Sequence, residues 1–218
     1  MEMESIKEMR IEPDAFFKLT YGLFILTSAQ NGKDGGCIIN TVMQITDLPK
    51  KRIAVAVNKA YFTHDLIVNS KIFNISALTT DSSFDIFKRF GFQSGSNTDK
   101  FSGFESFCER SENNLYYVKQ NTNAFFSAKV ISSSDFETHT LFIAEITESA
   151  VLSNAASLSY QYYFDNIKPK PTVKLQNSDK KTYICKICGY IHETDGDLPN
   201  DFVCPICKHG KSDMELQV

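Results

Sequence analysis

A chain of 218 residues, 42% hydrophobic and 22% charged, holds enough material for one ordinary domain plus a small appendage and lacks the composition of a disordered protein. Its net charge of −3 and pI of about 5.8 exclude the basic footprint of a general nucleic-acid binder. The opening MEMESIKEMRIEPD has no apolar h-region, and GLFILT and IAVAV are too short to span a bilayer, so a cytoplasmic protein without a membrane segment is expected.

In chain order, YGLFILTSA reads as a strand, QNGKDGG as a turn and CIINTVMQIT as a second strand. DLPKK then reads as a turn and RIAVAVNK as a third strand, completing a meander. THDLIVNSK predicts a short helix with Thr63 as its N-cap. IFNISALT alternates as a strand, and SSFDIFKRFGF reads as a second short helix. NAFFSAKVI and THTLFIAEI flank a Ser/Asp loop as an antiparallel pair, and AASLSYQYYFDNI closes the domain as a helix. The expected fold class is mainly β, a small closed or partly closed barrel with short helices and a small metal module after it. NIKPKPTVKLQNSDKK, with Pro169, Pro171 and five lysines, reads as a semi-rigid tether. The expected division is a barrel over 1–167, a linker over 168–181 and a module over 182–218. The module holds six acids against three lysines, a net −3, so residues 1–181 are neutral.

Cys185 and Cys188, then Cys204 and Cys207, form two Cys-x-x-Cys pairs with fifteen residues between them. In a reducing compartment that spacing belongs to metal ligands rather than disulfides. Four thiolates select zinc or iron, and spacing alone does not separate the two. Tyr183, Tyr190 and Phe202 supply aromatic rings to a module too small for an ordinary core. His192 and His209 read as exposed loop histidines, because four thiolates already close the shell. YICKICGYIH followed by DLPNDFVCPICKHGKSDM resembles rubredoxin. The stretch between its pairs is short, as in rubrerythrin-like modules, and Phe202 stands where the family commonly has tryptophan. The resemblance implies one iron held by Cys185, Cys188, Cys204 and Cys207.

Such an iron passes single electrons, whereas the usual cellular donor gives a hydride, and a flavin converts between the two. TYGLFILTS, GGCIINTVMQIT, RIAVAVNKAYFTHDLI, FNISALT, RFGFQSGSNTDKF and THTLFIAEI, in that order, resemble the flavin reductase-like, FMN-binding split-barrel family. With the module, the whole chain resembles the high-molecular-weight rubredoxins of anaerobes. The resemblance implies an FMN-binding split β-barrel, NAD(P)H as substrate, and a flavodiiron-type protein reducing nitric oxide or oxygen as electron acceptor. It also implies a homodimer with FMN near the interface, which the 18 Phe and 9 Tyr fit.

Asn40, Thr41 and Gln44 interrupt an apolar stretch and offer donors and acceptors to the pyrimidine edge of FMN; the same pattern also serves a strand with one solvated face. Asn58, Lys59 and Thr63 at a helix start, with His64 beside them, suit either a phosphate or a plain N-cap, and the resemblance favours the FMN phosphate. Ser96 stands where the family often has arginine, which leaves Lys100 as the charged contact. His139 heads a strand, where the resemblance sets it near the flavin to orient the nicotinamide or move a proton. Cys37 and Cys108 read as small buried apolar residues. Two other functions fit the same residues: a reductase releasing free reduced flavin, and a zinc-ribbon binding module on a split-barrel scaffold.

Overall fold

The computed structural model describes residues 12–169, 180–186, 190–205 and 209–217. The expected tether falls mostly on 170–179, and Cys188 and Cys207 also lie outside the described residues.

Seven antiparallel strands form the main sheet: β1 Phe24–Gln30, β2 Lys33–Ile39, β3 Val42–Thr46, β4 Arg52–Asn58, β5 Ile72–Leu78, β8 Thr122–Asp135 and β9 His139–Val151. Their spatial order is β2-β1-β5-β8-β9-β4-β3. The two edge strands are thus consecutive in the chain, with Asn40 and Thr41 alone between them. Three Cα–Cα steps reach at most about 11 Å, whereas the edges of a flat seven-stranded sheet lie about 29 Å apart. The sheet must therefore roll until its edges face each other across Asn40 and Thr41, which makes a barrel split at that seam. Bulges at Ser127/Ala128 and Val130/Ser132 supply bends in the long β8–β9 hairpin.

Two cores result. Leu26, Val55, Val57, Phe73, Ile75 and Phe142 fill the barrel, while Ile25, Leu78, Phe87, Phe90, Phe101 and Leu158 pack outside it. Neighbours Ile25 and Leu26 serve opposite cores, which is why GLFILT is continuously apolar rather than alternating. The outer core is covered by α2 Phe84–Gly91 and by a helical turn, Tyr160–Tyr162, running into a π-helical segment, Tyr163–Ile167. A small hairpin, β6 Cys108–Arg110 with β7 Tyr116–Val118, completes the domain.

Several boundaries differ from expectation. CIINTVMQIT is two strands, β2 and β3, broken at Asn40. QNGKDGG turns only at Asn31 and Gly32, both in left-handed backbone, and Gly35 and Gly36 continue β2. Glycine is needed there for packing: a Cβ on Gly35 would sit 2.5 Å from Leu66 Cδ1, and one on Gly36 3.0 Å from Phe90 Cδ1. Ser132–Asp135 belong to β8 because they pair with Ile143–Thr140 across the hairpin. Helix α1, Phe62–Ser70, is capped by Tyr61, so Thr63 lies inside the first turn rather than at the cap.

The module is a three-stranded sheet ordered β11-β10-β12, from β10 Lys181–Cys185, β11 Ile191–Thr194 and β12 Met214–Gln217. Its core is Tyr183, Cys185, Leu198, Cys204 and Met214, with Tyr190, Phe202 and the barrel's Phe92 packed against it. Among the described residues, no helix is long and apolar enough to cross a membrane.

Candidate functional site

A cleft of about 350 Å³ opens beside the barrel seam. Its walls come from the end of β2 (Cys37–Ile39), the linking Asn40 and Thr41, the end of β4 (Ala56, Asn58), the α1 start (Ala60–Thr63) and the loop after α2 (Phe92–Gly95). Lys100, His139, Tyr160 and Tyr163 complete it, together with His209 from the metal module. The sheet order explains the convergence: β4 and β9 are paired so that Asn58 lies opposite His139.

Asn58 Oδ1 accepts the Ala60 N–H at 2.8 Å and its carbonyl accepts the Tyr61 N–H at 3.0 Å, which turns the chain from β4 into α1. Thr41 Oγ1 donates to Asn40 Oδ1 at 3.0 Å across the seam. Thr63 is buried in the cleft wall, near the Cys37 thiol. Lys100 is 4% exposed, its Nζ donating to the carbonyls of Gly36 at 2.8 Å and Phe90 at 3.0 Å. His139 Nδ1 lies 2.8 Å from Thr138 Oγ1; partial burial, then the nearness of His209, hold its pKa below the usual histidine value.

The cleft thus brings together Asn40, Thr41, Asn58, Thr63, Lys100 and His139. Gln44, Lys59 and His64 are not among its lining residues. Gln44 is exposed on the edge strand β3, its Nε2 donating to the Thr46 carbonyl at 3.3 Å. Lys59 Nζ is 3.7 Å from Asp135 Oδ1. His64 is buried between Asp65 (Nδ1, 3.0 Å) and Thr140 (Nε2, 2.9 Å), and Thr140 Oγ1 donates to Asp135 at 2.6 Å. His64 therefore ties α1 to β9 beneath the cleft. Sequence reading missed Phe92, Tyr160, Tyr163 and His209. The two tyrosines share one helical face, a legible signal; the position of His209 depends on how two domains meet. Its reading as an exposed loop histidine is corrected: it is half-buried in the cleft.

The donor set suits a planar, polar-edged heterocycle: apolar Ile39, Phe90, Tyr160 and Tyr163 alongside the polar termini of Asn40, Asn58 and Lys100. In the module, Cys185 and Cys204 are both fully buried in one aromatic core, with the Cys185 N–H donating to Tyr190 O and the Cys204 N–H to His209 O, each at 2.8 Å. Two thiols packed within such a shell fit a sulfur-ligated metal.

Lys100 and Cys37 give a testable pH signature. Burial pushes the Lys100 ammonium down to about 8, opposed by the neighbouring thiol. Burial pushes the Cys37 thiol up to about 11, opposed by Lys100 and Thr63, and the Cys108 thiol up to about 12. An unfolded lysine titrates near 10.4, so above about 8 the unfolded chain binds more protons and stability rises with pH. The raised thiols act oppositely, removing stability above their ordinary value of 9.0. Stability of the wild type relative to Lys100→Met should therefore rise by about 1 kcal/mol between pH 8 and 9. Urea midpoints at several pH values check this; parallel curves would contradict it.

Residues 16–169 match the family model described as flavin reductase like domain, and residues 183–215 match the one described as rubrerythrin, rubredoxin-like domain. The chain belongs to the flavin reductase-like family and carries a rubredoxin-like domain behind its barrel. It is 34% identical over 230 residues to a high molecular weight rubredoxin of Moorella thermoacetica, covering 94% of this chain and 99% of that protein. It is 38% identical over 153 residues to a ferric-chelate reductase (NAD(P)H) of Archaeoglobus fulgidus, covering 70% of this chain and 89% of that one. The barrel fold is shared with an FMN-binding protein from Thermus thermophilus at a TM-score of 0.59 and 14% identity, over 70% of this chain and 82% of that one. The chain is thus an oxidoreductase of flavin-linked electron transfer, with a flavin domain and an iron-type cysteine module.

Proposed function

We propose that this protein takes a hydride from NAD(P)H into FMN bound in the cleft, passes electrons to one iron on Cys185, Cys188, Cys204 and Cys207, and delivers them to a protein acceptor of flavodiiron type. The observation that carries the reading is His209: a residue two positions from Cys207 lines the same cleft as His139. The cleft and the metal module are therefore neighbours, as an electron relay requires. The reductase from Archaeoglobus, which matches the barrel, supports NAD(P)H as donor, and the Thermus protein supports FMN as the flavin.

In this reading the bound flavin supplies the exchange between hydride and single electrons. Asn40, Thr41 and Asn58 hold its polar edge, and the α1 start with Thr63 receives its phosphate. Lys100 places a buried positive charge against the ring pocket, where added electron density is stabilised. His139 orients the nicotinamide at the cleft mouth. Lys59, paired with Asp135 on the surface, acts on the phosphate only through its field. Lys59→Ala should accordingly weaken FMN by no more than about fivefold and leave riboflavin binding unchanged. Fluorescence titration with both flavins decides it, and equal losses would remove Lys59 from the phosphate's surroundings.

The proposed division is a barrel over 1–167, a linker over 168–181 and a rubredoxin-like domain over 182–218, in a cytoplasmic homodimer. Met43, Ile45 and Leu48, exposed on and beside the edge strand, support a covered dimer face. Flavin and metal analysis of the purified protein tests the reading: one FMN and one iron per chain are expected, and zinc in place of iron would overturn it.

A further inference from the structure

Resting on the function just proposed, the structure carries a second conclusion about how the two domains share the cleft. Phe92, at the end of α2, packs against the barrel's outer core and against the module's core at once. Beside it, Lys168 Nζ donates to the Lys186 carbonyl, and the Lys168 ammonium also lies 4.5 Å from the Phe164 ring. His209 enters the cleft itself, close enough to His139 to disfavour its protonation. The His209 carbonyl accepts the Cys204 N–H at 2.8 Å, so the residue in the cleft is bonded to the metal-binding turn.

The space is limited. Sites that hold one small molecule occupy roughly 300–1,000 Å³, and this cleft, with His209 in its wall, has about 350 Å³. That volume suits one heterocycle and leaves no room for a second beside it. Hydride transfer nevertheless needs the nicotinamide within about 3.5 Å of its acceptor. We propose that the cleft mouth is one docking face used in alternation: the module occupies it through Phe92, Lys168 and His209, and a nicotinamide nucleotide must displace the module to enter.

The alternation has a thermodynamic consequence. Nucleotide affinity is reduced by the fraction of molecules whose mouth is open, so weakening the dock should tighten nucleotide binding. The test uses the FMN-loaded full chain and NAD+, which binds without transferring hydride. Calorimetry should give an NAD+ affinity up to about tenfold higher in Phe92→Asp and in Lys168→Ala than in the wild type. Phe92 lines the cleft, so Lys168, which does not, is the independent check. Amide hydrogen exchange of the wild type should speed up at 160–168 and 209–214 when NAD+ is added. Tight NAD+ binding with unchanged exchange and equal affinity in both variants would overturn the alternation while leaving the electron-transfer reading intact. Failure of both NAD+ and NADP+ to bind any of the three proteins would sink both.

Discussion

Cys204→Ser should lower reduction of a protein acceptor by at least about 100-fold while NADH still reduces the flavin at close to the wild-type rate or above it. A serine hydroxyl is a hard ligand and replaces a soft thiolate poorly at a four-sulfur iron site. Cys204 is fully buried within the module's own core and is not among the residues that line the cleft. The damage is therefore confined to the second half of the relay. Anaerobic stopped flow at the flavin band, followed by turnover with cytochrome c as a basic one-electron acceptor, separates the two halves. If flavin reduction collapsed along with acceptor reduction, the two modules would not be separable in function.

The second large effect is expected from salt. The module's side chains sum to −3, and a ferric ion with four thiolates adds one further negative charge. Electron-transfer encounters are small and brief, so their rates follow charge steering and fall as ions screen it. Acceptor reduction should slow by roughly tenfold from low to physiological salt, while NADH-driven flavin reduction changes far less. The geometry decides which acids to reverse. Asp197 is committed within the module: Lys181 Nζ lies 2.7 Å from its Oδ1, and Tyr183 OH donates to the same oxygen at 3.1 Å. These contacts hold its carboxyl below the usual range, the Lys181 hydrogen bond first. Asp195 and Asp201 are exposed. Asp195→Lys with Asp201→Lys should lower the low-salt rate and flatten its salt dependence without disturbing the fold. A salt-independent rate in the wild type would leave the acidic surface no part in docking.

The parts of this account legible in the sequence are those fixed by local spacing. Two Cys-x-x-Cys pairs point to a ligand set whatever surrounds them, and strand-length apolar runs between turns match β1, β4, β5 and the β8–β9 hairpin. What was hidden depends on distant pairings. Gly35 and Gly36 read as turn residues because the side chains that exclude a Cβ there, Leu66 and Phe90, arrive from helices far along the chain. Gln44 looked like a neighbour of Asn40 on one strand, yet the chain breaks between them and passes to the opposite edge of the sheet. In the sequence, Asn40 with Thr41, then Asn58, Lys100 and His139 stand on separate segments, and only the rolled sheet gathers them. His209 reads locally as an exposed loop residue, since its module needs no further ligand. Its place follows from one domain lying against another, which no spacing within the module encodes.

The relay is tested most directly by an anaerobic titration of the full chain with NADH, following flavin absorbance and ferric–thiolate charge transfer together. A flavin takes two electrons and a four-thiolate iron one, so both signals should bleach to completion at about 1.5 equivalents of NADH per chain. Bleaching of the flavin alone, complete at about one equivalent with the iron band unchanged, would contradict electron transfer between the two domains.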